Sequence, residues 1–219
     1  SSYPTLILTF FYGAYYANNI AKNVIVGTTL WGYTISLASL ISFFLFTFVL
    51  IYMRNYYRVI GSKLFFLFLI LIMVSTACLA FFNRGINQYY PLIFILISFI
   101  SFEVLNLFYN ISLRKICKSN QEGFLSNIGW AFGYLGGLLS LMIAILFLSF
   151  TEKSNFKILG FVGYDLIGPF VAIWVCVFCV SHFRNFRLEF FPIPSFVSLY
   201  DSLCQKKIRY FLVSYFFFN

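Results

Sequence analysis

Three polar residues in an otherwise apolar stretch have the types and spacing to move a proton or an amine across a membrane. Glu103 is the only acidic residue inside the long apolar runs of the chain. Asn106 and Asn110 follow it three and seven residues later, so all three share one face of a helix. A carboxylate in hydrocarbon usually faces a cavity or is protonated, because burying its charge is costly. This face either lines a translocation path, where Glu103 binds a proton or a substrate amine, or holds a neutral Glu103 that ties two helices together.

Tyrosines and serines mark two further candidate contacts. Tyr15 and Tyr16 lie in the outer half of the first apolar run, where they could contact a substrate or be interfacial tyrosines without a function. Ser36, Ser39 and Ser42 form a polar stripe on the second run. The stripe could hydrate a cavity, but hydrogen bonding between helices is the more common reason for it.

A helix rich in glycine is predicted within residues 121–140, QEGFLSNIGWAFGYLGGLLS. At about 100° per residue, five small residues fall on one face or at its edge. We call them the glycine face: Gly129, Gly133, Gly136, Gly137 and Ser140. Another helix could approach this face backbone to backbone. Packing is the simpler interpretation, and in a transporter the same packing is where helices slide during gating.

The composition of the whole chain is that of a membrane protein. Of its 219 residues 62% are hydrophobic and 10% are charged, whereas soluble domains carry about 25% charged residues. No Asp, Glu, Lys or Arg occurs in 23–53, 64–83, 85–102, 123–151 or 166–183. Each gap is long enough to span about 30 Å of hydrocarbon as a helix. The runs are continuous rather than alternating, which argues against a barrel.

Six helices are predicted from these runs and form a transmembrane bundle over residues 1–183. The predicted spans are 3–21, 28–53, 64–82, 89–111, 128–150 and 166–183. Residues 184–207 are interpreted as a cytoplasmic linker. Residues 208–219 are apolar but too short to span a bilayer, and are interpreted as the start of a truncated seventh helix.

The basic residues orient the predicted bundle. Eleven of the 15 Lys and Arg follow the second, fourth and sixth helices, and the others follow the first, third and fifth. The positive-inside rule then places the N-terminus and the more basic loops in the cytoplasm. The net charge of +9 is explained by these loop edges and by anionic lipid, so no nucleic-acid partner is expected.

Several stretches resemble the major facilitator superfamily, and more closely the unknown major facilitator family, which includes fungal vacuolar amino-acid effluxers linked to autophagy. The most specific is EGFLSNIGWAFGYLGG at 122–137, which is similar to the family's fifth-helix signature. Supporting matches are SSYPTLILTFFYGAYY at 1–16, LWGYTISLASLI at 30–41 and FEVLNLFYNISL at 102–113. The resemblance covers only the first half of the family's twelve helices. It implies a permease that moves a small solute, with an amino acid as the expected substrate.

One loop departs from the superfamily pattern. Between its second and third helices the superfamily has an aspartate and a glycine in a basic motif, but residues 49–63 read VLIYMRNYYRVIGSK. Arg54 and Arg58 retain the basic character and are candidate gating residues, while the aspartate is missing. The charge network that the superfamily builds around this aspartate is therefore expected to lack one member here.

Other chemistries find no support in the sequence. Cys176 and Cys179 lie among Val and Phe, where apolar filling is the better interpretation. His182 has no neighbouring ligands at metal-site spacing. With no nucleotide-binding loop and no nucleophile paired with a base, we expect neither an enzyme nor a cofactor nor a metal.

We therefore expect a secondary active transporter that works by alternating access and is coupled to protons, in the bacterial inner membrane. Its partners would be the lipid bilayer, a small-molecule substrate, a coupling ion, and either a missing C-terminal half or a second copy of the chain. The alternatives are a truncated or degenerate remnant without activity and a half-transporter that acts as a dimer.

Overall fold

In a computed structural model the chain is described at residues 5, 7–52, 57–82, 87–116, 122–154 and 163–183. These residues are almost entirely helical, and none of them lies in a strand. Four helices are long and apolar enough to cross a membrane by length and composition: Val24–Phe48, Lys63–Phe81, Tyr89–Asn110 and Gly123–Thr151. The all-α membrane class predicted from composition agrees with these findings.

Six helical segments follow one another in the described part of the chain. The first, α1, covers 7–20 and contains two π-helical stretches, Leu8–Gly13 and Tyr16–Ile20. The others are α2 (Val24–Tyr52), α3 (Tyr57–Cys78), α4 (Tyr89–Ile116), α5 (Glu122–Ser154) and α6 (Ile167–Phe183). A 3-10 turn, Leu79–Phe81, ends α3, and another, Gly163–Leu166, precedes α6.

The helices extend beyond the apolar runs that predicted them. The loop expected at 54–63 is partly helical, because α3 begins at Tyr57, and α5 begins at Glu122 rather than at residue 128. The predicted spans counted only apolar residues, whereas Lys, Arg and Glu are good helix formers that prolong a helix into water. The shorter apolar helix Gly163–Phe178 falls below the length of the four spans. The predicted linker 184–207 and the run 208–219 lie outside the described residues.

The winding of α1 decides which of its side chains are buried. The amide of Ala21 donates to the carbonyl of Tyr16, a step of five residues that defines a π-helix. Ile7 and Tyr16 are both fully buried. They are nine residues apart, about two and a half turns at 3.6 residues per turn, so in a regular α-helix they would face opposite sides. The wider π-helical turns reduce the angle between them around the helix axis.

The core forms where α3 and α4 pack together and are flanked by α2 and α6, with α1 between α2 and α6. Its largest fully buried side chains include Tyr12 and Tyr16 of α1 and Ile72, Ile95 and Ile167 of α3, α4 and α6. Small residues allow the closest approaches. An ideal Cβ at Gly27 of α2 would lie 2.7 Å from Cα of Ala17 in α1. A second cluster packs leucines and phenylalanines of α2 and α3 around Val104 and Phe108 of α4.

Candidate functional site

The best-defined polar structure lies at the end of the bundle where α1 ends and α6 begins, which we call the tyrosine end. The hydroxyl of Tyr16 donates to the main-chain oxygen of Gln88 at 3.0 Å. The amide of Lys22 donates to the side-chain Oε1 of the same glutamine at 3.1 Å. Gln88 itself is buried. It therefore joins the end of α1 to the start of α4 through both its backbone and its side chain.

Tyr12 and Tyr15 extend this contact toward α3 and α6. The Tyr12 hydroxyl donates to the main-chain oxygen of Leu79 at 3.5 Å. The Tyr15 hydroxyl donates to Oδ1 of Asp165 at 3.1 Å, across 150 residues of sequence. The ring of Tyr15 also stacks on Tyr164, with centroids 5.3 Å apart and planes 4° from parallel. Because these tyrosines bind other helices, Tyr15 and Tyr16 have a packing role that was not among the alternatives drawn from the sequence.

A buried tryptophan closes the contact between α1 and α2. Trp31 of α2 packs on Tyr16 at a centroid distance of 6.0 Å. A Cβ at Gly13 would lie 3.0 Å from the indole, so the glycine makes room for the ring. The buried Nε1 of Trp31 has no hydrogen-bond partner among the described residues. This unsatisfied donor carries a desolvation cost that the packing of the ring must offset.

Glu103 and Asn106 lie on α4 away from this end, half-buried, and Asn110 is exposed. Ser101 and Phe108, on the opposite side of the helix, are fully covered by the bundle. Within the described segments Glu103 has no hydrogen-bond or ion-pair partner. The three residues thus share a face, as predicted, and the other described helices leave that face partly uncovered.

The serine stripe is divided between two environments. Ser36 and Ser39 are exposed, whereas Ser42 is buried. The buried Ser42 hydroxyl has no hydrogen-bond partner in the described part of the chain. The bonding between helices expected for this stripe is therefore not seen among the described helices, and the role of Ser36 and Ser39 stays a prediction.

The glycine face is the most covered side of α5. Gly137 and Ser140 are buried and Gly129, Gly133 and Gly136 are half-buried, while large apolar side chains elsewhere on the helix are exposed. A Cβ at Gly129 would lie 2.9 Å from the hydroxyl oxygen of Tyr109 in α4. The neighbour there is the end of a flexible side chain rather than a backbone. That the glycine face has a role in gating stays a prediction.

The remaining candidates are only partly described. Arg54 lies outside the described residues, and Arg58 lies in the first turn of α3. No group of three or more potential metal ligands occurs among the described side chains. Asp165, Gln88 and Trp31 were missed by the sequence reasoning. Asp165 was missed because it precedes the last predicted helix by one residue and was taken as part of a loop.

Comparisons with known proteins add no identification. No family model, curated protein or solved structure matches the chain.

Proposed function

We propose that this chain is a multi-pass secondary transporter of the major facilitator type, seen as its six-helix N-terminal half. The observation that carries the proposal is the face of α4 formed by Glu103, Asn106 and Asn110. A half-buried carboxylate that has no partner among the described residues and lies within a candidate membrane span is a functional candidate by default, because lipid cannot solvate its charge. The stretch at 122–137 that resembles the family's fifth helix supports the assignment.

The positions of these polar residues along α4 suit a path that opens on one side of the membrane. Glu103 lies seven residues, or about 10 Å, from the Asn110 end of the span Tyr89–Asn110. The polar residues thus run from within the hydrocarbon to the end of the span. With the N-terminus in the cytoplasm, as the basic loops favour, this end is cytoplasmic.

Glu103 has the chemistry to bind a proton or the amine of a small substrate such as an amino acid. Either cation would compensate the charge of the carboxylate, and the neighbouring amides would offer donors and acceptors. The substrate class rests on the resemblance alone. A missing C-terminal half or a second copy of the chain would cover this face and complete an alternating-access path.

Proton flux in proteoliposomes tests the proposal. The full chain is reconstituted with a pH indicator inside the vesicles, and a mixture of the twenty amino acids is added outside. We expect a change of internal pH that depends on the amino acids, and radiolabelled members of the mixture then identify the substrate. Glu103→Gln keeps the shape of the side chain and removes its charge, so we expect the flux to fall by about tenfold or more.

Glu122→Gln is the matched control, because it makes the same chemical change at the first residue of α5. Its flux should equal that of the unchanged chain. Equal flux from Glu103→Gln and the unchanged chain would exclude the assigned role of Glu103. No flux from any reconstituted form, alone or crosslinked as a dimer, would support the inactive remnant instead.

A further inference from the structure

Among the described residues, hydrogen bonds join segments that are far apart in sequence at the tyrosine end. Tyr12, Tyr16 and the amide of Lys22 bind residues at the ends of α3 and α4. Tyr15 binds the turn before α6. At this end α1 therefore contacts three other segments, and a movement of α1 would have to break these bonds.

The bond from Tyr15 to Asp165 differs in kind from the two other tyrosine bonds. Tyr12 and Tyr16 donate to main-chain oxygens, which stay in place as long as the helices do. Tyr15 donates instead to a carboxylate oxygen on a side chain, at 3.1 Å. This bond depends on two side-chain rotamers and can be made or broken without unfolding a helix.

The turn that carries Asp165 is held in place on the side where it enters α6. Gly163 has a φ angle of +57°, a backbone conformation that residues other than glycine rarely adopt. Gly168, two residues into α6, packs directly against the main-chain oxygen of Thr76 in α3. Since α6 is docked on α3 in this way, and Tyr12 and Tyr16 hold α1 to the ends of α3 and α4, the Tyr15 side chain is the part of this contact that can separate by a change of rotamer.

Separation of Tyr15 would open the bundle to its core. Tyr15 and Tyr164 are half-buried and form the outer layer of the stack. Tyr12 lies behind them, edge-on to Tyr15 at 6.0 Å, and is fully buried. We infer that the Tyr15–Asp165 pair is a latch that closes the tyrosine end by holding α1 against the turn before α6. If the proposed transport function holds, this latch would act as a gate on the transport path, and that role rests on the proposed function.

Thiol labelling of the full chain tests the latch. Thr151 is fully buried near the end of α5, a helix that contacts the turn before α6, and Thr151→Cys nearly preserves its size. With the five native cysteines replaced, a membrane-impermeant maleimide is applied to both faces of reconstituted vesicles. We expect slow labelling, and we expect Tyr15→Phe to accelerate it by about tenfold, the effect of losing a hydrogen bond to a charged group.

Tyr164→Phe is the matched control, because it removes the other hydroxyl of the same stacked pair and leaves the bond to Asp165 intact. It should label at the original rate. The latch is refuted if Tyr15→Phe leaves the rate unchanged or if Tyr164→Phe accelerates it equally. A second reporter, Ser98→Cys in the buried part of α4, should stay unlabelled throughout. Its labelling in Tyr15→Phe would mean that the bond holds the whole bundle together, which also contradicts a local latch.

The labelling experiment needs no transport activity, so it can refute the latch without refuting the transporter, and the reverse holds for the proton-flux experiment. Accelerated labelling in a chain without amino-acid-dependent proton flux would keep the latch and remove the transporter. Proton flux with unchanged labelling would keep the transporter and remove the latch.

Discussion

Gly168 at the start of α6 lies against the main-chain oxygen of Thr76 in α3. An ideal Cβ on Gly168 would overlap that oxygen and would lie 2.9 Å from Cβ of Leu79. The oxygen belongs to a helix backbone and cannot rotate away as the end of a side chain can. The two helices therefore meet backbone to backbone, and this contact fixes α6 and the turn that carries Asp165.

The first prediction follows from this contact. Gly168→Ala should destabilise the protein by about 1–3 kcal/mol, because the added methyl must push α6 away from α3. The measurement is the temperature at which half of the detergent-solubilised protein remains monodisperse. Gly32→Ala in α2 is the matched control, since nothing lies within 4 Å of its Cβ position. It should be neutral or stabilising by up to about 1 kcal/mol, and equal effects at the two sites would contradict the close contact.

The second prediction compares two buried tyrosines of α1. Tyr16→Phe should cost about 1–2 kcal/mol, because the Gln88 oxygen loses its donor, which lies at 3.0 Å. Tyr12→Phe should cost less, because its bond to the Leu79 oxygen is 3.5 Å long. Both rings are fully buried, so the two changes remove the same atom from similar surroundings. Thermal unfolding in detergent checks the order, and a larger loss from Tyr12→Phe would show that it is wrong.

The third prediction concerns the unsatisfied hydroxyl of Ser42. Ser42→Ala should stabilise the protein by about 1 kcal/mol, because it removes a buried polar group that has no partner among the described residues. Ser98→Ala is the control, since that buried hydroxyl donates to the main-chain oxygen of Ile95 at 2.8 Å. It should be neutral or destabilising by a similar amount. A loss of stability in Ser42→Ala would indicate that its hydroxyl has a partner beyond the described residues.

Periodicity predicted the parts of this structure that are regular α-helices. The covered side of α5 is the glycine face that was predicted from a turn of 100° per residue. Its members Gly133, Gly137 and Ser140 recur at helical intervals. The shared face of Glu103 and Asn106 on α4 was found in the same way. These inferences required only the length of the apolar runs and the positions of small or polar residues.

The tyrosine end was not predictable in this way, for two physical reasons. The π-helical turns of α1 change which residues share a face, and no residue in the stretch signals that winding. The partner of Tyr15 is 150 residues away, in a turn whose place depends on the docking of Gly168 on α3. Interfacial tyrosine was therefore a reasonable interpretation of the sequence, although Tyr12 and Tyr16 are fully buried.

The last prediction asks what covers the polar face of α4 in the membrane. A nitroxide attached at residue 106 should be accessible to a water-soluble nickel complex, because Asn106 is half-buried beside Glu103 on the proposed path. A nitroxide at residue 138 should instead be accessible to oxygen, which partitions into hydrocarbon. Leu138 is 60% exposed near the middle of the span Gly123–Thr151, where only lipid is expected. Paramagnetic relaxation of both labels in vesicles of the full chain gives the comparison. If residue 106 showed the same accessibility as residue 138, the carboxylate of Glu103 would face lipid, and the face could not line a path for a polar solute.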